Sequence, residues 1–271
     1  MRYCRFLFEN HTHYGAVEDR AGELWIVDLI RTPKEDLAFR LEHGRATSWS
    51  FDFEPMPLSA AELLAPVTPS KIVCVGRNYR DHVKELGNEL PTEPLLFLKA
   101  PSSLLSPGGV VRMPAVSSRV DYEGELALVI GRRVRNLQEE DWRSAVRGYT
   151  VANDVTARDL QNKDGQWSRA KGFDTFCPVG PLVSDELDPE AGLTLETRVN
   201  GELRQHGSTL DFIFPIPILL SYITAAMTLE AGDLVLTGTP AGVGPLKAGD
   251  RVEVSIAGLG TLTNTFQPDE S

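Results

Sequence analysis

A chain of 271 residues with 42% apolar and 24% charged residues is an ordinary globular protein with room for a substantial core, which excludes disordered, fibrous and membrane-embedded classes. Its 27 Lys and Arg against 38 Asp and Glu give a net charge of −11, a balance that disfavours nucleic acid and anionic membrane as partners and requires a local cluster of cations for any anionic substrate. No apolar run approaches the roughly 20 residues that cross a bilayer, and Met1 to Glu9 lacks the apolar region of a secretory signal, so the expected location is cytoplasmic.

Residues 1 to about 55 read as short strands of a small β-rich unit, among them Gly15-Ala16-Val17 and Leu24 to Leu29. His11, His13 and His43 have no acid or cysteine at ligand spacing and are expected on the surface. Cys4, Cys74 and Cys177 are too scattered for a disulfide framework and are expected as reduced, buried thiols. Pro55, Pro57, Pro66 and Pro69 punctuate a short predicted helix, Ser59 to Leu64, and the domain boundary is placed there: a small N-terminal β-rich domain over 1–66 and a catalytic domain over 67–271.

Lys71 to Gly76 is a buried strand that delivers Arg77-Asn78-Tyr79-Arg80-Asp81-His82-Val83-Lys84-Glu85 at its tip. A helical turn there puts His82 and Glu85 on one face, where a carboxylate raises the basicity of an imidazole; the alternative is ordinary surface charge pairing. Pro94 to Lys99 reads as another strand.

Val120-Asp121-Tyr122-Glu123-Gly124-Glu125 then runs into the apolar Leu126 to Ile130. The period of two places Asp121, Glu123 and Glu125 on one strand face. The unbroken apolar run implies a strand covered on both sides, so these acids need a counter-charge, which a hard divalent cation supplies. A solvated acidic strand face is the alternative reading.

Leu137 to Val146 has helical spacing. Asn153-Asp154 sits at the end of the strand Tyr149 to Ala152, and a helical turn over Thr156 to Gln161 would let Asp154 and Arg158 share a face with Gln161. Asn162 to Ala170 reads as a polar loop, and Lys171 at the return to apolar chain either points into a site or lies on the surface. Val199-Asn200-Gly201-Glu202 is a type I′ hairpin signal, and Pro215 to Ala226 an apolar helix. The glycine- and threonine-rich turn Thr237 to Gly244 can aim amides and hydroxyls at an anion, yet Lys247 is misplaced for a nucleotide-binding loop.

Five of these motifs, in this order, resemble the fumarylacetoacetate hydrolase family: Gly76-Arg77-Asn78-Tyr79 leading to His82 and Glu85, Asp121 to Glu125, Asn153 to Asp159, Lys171 to Asp174, and Leu236 to Pro240. The resemblance covers roughly residues 70 to 265. It implies a mixed, β-rich α+β fold, the family's β-roll with few short helices, and a homodimer. It implies a Mg²⁺ or Mn²⁺ ion on Glu123, Glu125 and Asp154, with Asp121 behind them as the acid that mutates with least harm. A small anionic 2-oxo acid is the implied partner, held by Arg77, Tyr79, Arg158, Gln161 and Thr239. The longer fumarylacetoacetate hydrolases offer a further aspartate ligand where this chain has Arg77-Asn78.

The expected reaction is hydrolysis of a carbon–carbon bond in an acylpyruvate-type 1,3-dioxo acid, with His82 and Glu85 activating water and Lys171 stabilising the oxyanion. The alternatives are decarboxylation of oxaloacetate or isomerisation of a 2-hydroxyhepta-2,4-diene-1,7-dioate at the same metal site, or a metabolite-binding protein with a structural metal.

Overall fold

The computed structural model describes residues 1–32 and 53–269. Its largest sheet follows the order Met56–Pro57, Glu23–Ile30, His11–Arg20, Arg2–Phe8, Cys177–Ser184, Val146–Asn153, Gly124–Ile130, Leu234–Leu236, Ile72–Gly76, Leu95–Lys99. The N-terminal strands therefore extend the same sheet, through antiparallel pairing of Arg2 and Tyr3 with Ser184 and Val183. A second sheet orders Glu202–Ser208, Thr194–Val199, Arg251–Ile256, Gly260–Pro268 and Val110–Met113. Helices are few and short, as expected; the apolar one spans Ile216–Ala226, with Pro217 tolerated in its first turn.

The strand Gly124–Ile130 organises both cores. Leu126, Leu128 and Ile130 enter the large core that faces the second sheet, while Ala127 and Val129 enter a smaller one on the opposite side. Every residue of the strand is buried, which is why its sequence does not alternate in polarity. Burying each leucine, isoleucine or valine contributes about 1.5–3 kcal/mol, so this strand's position is fixed by packing on two faces. Glu125 continues the face of Ala127 and Val129, at the end where Gly124 pairs with Asn153 and Leu236 gives way to Thr237.

The hairpin turn is as expected: Asn200 and Gly201 have φ of 52° and 84°, the positive pair that a type I′ turn requires. Cys4, Cys74 and Cys177 are free and buried. His11 is exposed and His13 partly so, whereas His43 lies outside the described residues. The helix expected over Ser59 to Leu64 is instead a single 3₁₀ turn, Leu58–Ala60, followed by a strand, Glu62–Leu64. Pairing of Glu62, Leu63 and Leu64 with Leu7, Phe6 and Arg5 outweighs the helical propensity of this alanine- and leucine-rich stretch. The segment expected as a helix over Leu137 to Val146 is 3₁₀ over Glu139–Ala145. The loop expected over Asn162 to Ala170 is also reduced, because helix Arg158–Asp164 enters it and helix Ser168–Gly172 begins before it ends. Among the described residues no helix is long and apolar enough to cross a membrane.

Candidate metal centre and substrate cavity

Glu123 lies at the break between strands Val120–Tyr122 and Gly124–Ile130, which belong to different sheets. Its amide is taken by the Asn153 side chain at 2.9 Å, and its carbonyl receives the Asp154 amide at 2.8 Å. These two bonds bring the acidic strand against the end of Val146–Asn153. One carboxylate oxygen from each of Glu123, Glu125 and Asp154 lies within 4.8 Å of the others, and all three side chains are buried.

The cations around them are spent on carboxylates. Lys171 Nζ donates to Glu123 Oε2 at 2.7 Å and Asp154 Oδ2 at 2.6 Å. Lys99, itself buried, donates to Asp154 Oδ1 at 2.7 Å and to the Val155 carbonyl. Arg158 reaches Asp121 through Nε at 3.0 Å, Glu123 through Nη2, and Gln161 Oε1 through Nη1 at 2.6 Å. Arg119 clamps Asp121 through Nε and Nη2 at 2.9 and 3.0 Å.

No ion pair reaches Glu125 among the described residues; its contact is the Gly238 amide on Oε2 at 2.8 Å. Burial, together with the charges of Asp154 and Glu123, pushes its carboxyl well above the usual range. Burial also raises Glu123, but Lys171, Arg158 and His82 outweigh it and hold that carboxyl below the usual range. The donor set thus fits a hard divalent ion: three clustered carboxylate oxygens, and one carboxylate whose negative charge lacks a cation of its own.

Two expectations change here. Arg158 does not pair with Asp154 across a helical turn, because Thr156–Ala157 is extended and the helix begins only at Arg158. Asp121 is completely buried and anchors both Arg158 and Arg119, so removing it strips support from Glu123 and is not benign.

A cavity of about 470 Å³ opens over the triad, lined by Arg77, His82, Arg158, Gln161, Lys171 and Thr239 among the residues expected to act. Trp167 and Phe97 form an aromatic wall, with ring centroids 5.2 Å apart and Lys171 Nζ 5.0 Å from the Phe97 centroid. Tyr79 does not line the cavity. Its ring is buried edge-on against Phe212 at 5.1 Å, and its hydroxyl has no hydrogen-bond partner among the described residues.

Helix Arg80–Glu85 carries the expected dyad: His82 Nδ1 lies 3.3 Å from Glu85 Oε2, and Glu85 also accepts from the Gly242 amide at 3.0 Å. Burial lowers the His82 pKa against the opposing pull of Glu123 and Glu85, a shift that favours the neutral ring. Sequence reasoning missed the roles of Lys99, Arg119, Asn153 and Trp167. The available signal for Lys99 was a lysine closing an apolar strand, since a buried ammonium needs an acid nearby.

The fumarylacetoacetate (FAA) hydrolase C-terminal model matches residues 71–267. The chain belongs to this family. It is 47% identical over 222 residues to the oxaloacetate tautomerase YisK of Bacillus subtilis, covering 76% of this chain and 73% of that protein. It is 46% identical over 200 residues to the mitochondrial oxaloacetate decarboxylase of Dictyostelium discoideum, with coverages of 72% and 92%. The crystal structure of 2-hydroxyhepta-2,4-diene-1,7-dioate isomerase from Mycobacterium marinum superposes over both full chains with a TM-score of 0.86 and 40% identity. The fumarylacetoacetate hydrolase fold is therefore the fold of this chain, and its relatives bear tautomerase, decarboxylase and isomerase names.

Proposed function

We propose that this family member is a Mg²⁺- or Mn²⁺-dependent tautomerase of a small 2-oxo dicarboxylic acid of the oxaloacetate type. The observation that carries this reading is the charge balance of the buried network. Asp121, Glu123 and Asp154 pair with Lys99, Lys171, Arg158 and, at the network's solvent edge, the half-exposed Arg119, while Glu125 has no ion pair among the described residues, so four acids and four cations sum to zero. Counting only the ligands and nearby acids suggests a residual negative charge, but Lys99 and Arg119 cancel it. A bound divalent ion then leaves two positive charges in excess, which matches a dianion better than the monoanionic acylpyruvates. Arg77 faces the same cavity with no partner among the described residues, and so can take the distal carboxylate.

When bound, the divalent ion polarises the 2-oxo group and lowers the acidity barrier at the adjacent carbon. The proton itself is moved by this chain. With His82 Nδ1 held by Glu85, Nε2 of the neutral ring is the atom that accepts a proton from the substrate's C3 and returns it to oxygen. The Lys171 ammonium has three N–H groups, and two are used on Glu123 and Asp154, which leaves one for the developing 2-oxyanion. A base in this position favours proton transfer over simple decarboxylation, which needs none.

The test follows three reactions in the presence of Mg²⁺ or Mn²⁺: decay of the oxaloacetate enol by its absorbance, pyruvate release from oxaloacetate, and acetate release from acetylpyruvate by NMR. Enol decay faster than either of the other two supports the tautomerase. Dominant pyruvate release assigns a decarboxylase, and acetate release restores the C–C hydrolase reading.

A further inference from the structure

Glu123 and Glu125 can converge on one ion only if the single residue between them is held in a fixed orientation, and the ladder of the large sheet does not do this alone. The Gly124 amide is directed into the second sheet, where Gln205 Oε1 accepts it at 3.0 Å. The Gly124 carbonyl accepts from Thr239 Oγ1 at 2.8 Å, and Gln205 Nε2 donates back to Thr239 Oγ1 at 2.7 Å and to the Pro240 carbonyl at 2.9 Å. Gln205 is completely buried, and these three bonds bind the backbone between two candidate ligands to the turn whose Gly238 amide caps Glu125.

The surroundings are built for this contact. Gln205 stands opposite Thr197 in the pairing of Thr194–Val199 with Glu202–Ser208, beside a register shift between Thr197 and Arg198. Shifts of this kind re-aim side chains. A Cβ on Gly124 would lie 2.2 Å from Thr197 Oγ1 and 3.3 Å from Gln205 Oε1, so only glycine admits this close approach. Thr197 touches the same spot yet makes no hydrogen bond through its hydroxyl among the described residues, whereas Gln205 both accepts and donates through its amide. An internal control for packing thus lies next to the hydrogen-bonding residue.

We infer that Gln205 is a positioning residue of the metal centre, which fixes Glu123 and Glu125 through the Gly124 peptide and the Thr239–Pro240 turn without touching the ion. Groups that orient ligands from behind typically change metal affinity about 10–100-fold when removed. The inference rests on the metal reading of the triad.

The experiment measures Mn²⁺ affinity by calorimetry, together with thermal unfolding of the metal-free protein, for wild type, Gln205→Met, Gln205→Glu and Thr197→Val. Gln205→Met keeps the volume and loses all three bonds; Gln205→Glu keeps an acceptor for Gly124 but can donate to neither Thr239 nor Pro240. The expected result is a Kd for Mn²⁺ weakened about tenfold or more in Gln205→Met and less in Gln205→Glu. Thr197→Val should bind and melt as wild type, and metal-free Gln205→Met, which leaves the Gly124 amide and the Pro240 carbonyl buried without a partner, should melt lower yet remain folded at the temperature of the titration. Wild-type affinity in Gln205→Met, equal losses in Gln205→Met and Thr197→Val, or failure of both Gln205 variants to fold without metal would overturn the positioning role. Absence of Mn²⁺ binding by the wild type would instead overturn the metal reading on which it stands.

Discussion

The floor and the rim of the cavity are held by different physics. On the floor, Glu123, Asp154, Lys99 and Lys171 are each at most 5% exposed, and their charges interlock in ion pairs of 2.6 to 2.7 Å. On the rim, His82 and Glu85 share one contact at 3.3 Å on a six-residue helix, Arg77 has no partner among the described residues, and Leu86 is 41% exposed. Breaking a buried ion pair strands an uncompensated charge, whereas the contact of the buried His82 ring with the solvent-facing Glu85 is local to one helical turn and leaves no buried charge stranded when Glu85 is removed. On the proposed function, substitutions on the floor are therefore expected to change chemistry and stability together, and substitutions on the rim to change the reaction while the fold stays intact.

The largest effect is expected on the floor. Glu123→Ala removes a candidate ligand and leaves Lys171 and Arg158 each short of a carboxylate. It should abolish Mn²⁺ binding in calorimetry, reduce turnover to background and cost about 3–5 kcal/mol in denaturant unfolding. A variant as stable as wild type would break the contrast between floor and rim. Lys171→Met is the next in size. Freeing Glu123 and Asp154 from their shared ammonium should tighten Mn²⁺ binding, while loss of the oxyanion contact lowers kcat about 10²–10³-fold. If affinity and turnover fell together, Lys171 would be a scaffold for the ligands and nothing more.

What the sequence made legible follows the same division. Acids at alternate positions beside an apolar run are physically anomalous, and Glu123, Glu125 and Asp154 could be named from that anomaly together with the family's motif order. Their counter-charges were only half legible. Arg158 and Lys171 stand inside motifs, but Lys99 ends a plain apolar strand and Arg119 precedes the acidic stretch, so their partners emerge only when strands distant in the chain are brought together. Gln205 gave no signal, because its partner Gly124 is 81 residues away and belongs to another sheet. Tyr79 was misleading for the opposite reason: it lies two residues from Arg77 in sequence, but its ring turns into the core.

The rim should respond in specificity. Arg77 has φ of 57°, a conformation that asparagine tolerates better than most residues, so Arg77→Asn removes the charge with little backbone strain. It should raise KM for oxaloacetate about 10–100-fold, as expected for loss of a charge-assisted contact of about 1.5–3 kcal/mol, and leave metal affinity and melting temperature near wild type. Equal losses on oxaloacetate and on a monoanionic 2-oxo acid would remove Arg77 from the distal carboxylate.

The smallest effect sharpens the comparison most, because it touches neither the floor nor the fold. His82 titrates below the ordinary value of 6.5, chiefly through burial, while Glu123 and Glu85 pull the other way. A divalent ion on Glu123 would cancel part of that pull and lower the value further. The neutral ring therefore contributes stability above the unfolded value that is lost as pH falls through the lower folded value, and the acid limb of kcat/KM should lie below 6.5. Glu85→Gln keeps an acceptor for the Gly242 amide but removes the carboxylate that favours the protonated ring. The acid limb should then move to lower pH, with a reduced plateau because the remaining base is weaker. Metal affinity should not move, since Glu85 makes no contact with the triad among the described residues. An acid limb that shifts upward, or one that is unchanged in both Glu85→Gln and His82→Ala, would assign the titration to the carboxylate floor and take the proton-moving role away from the rim.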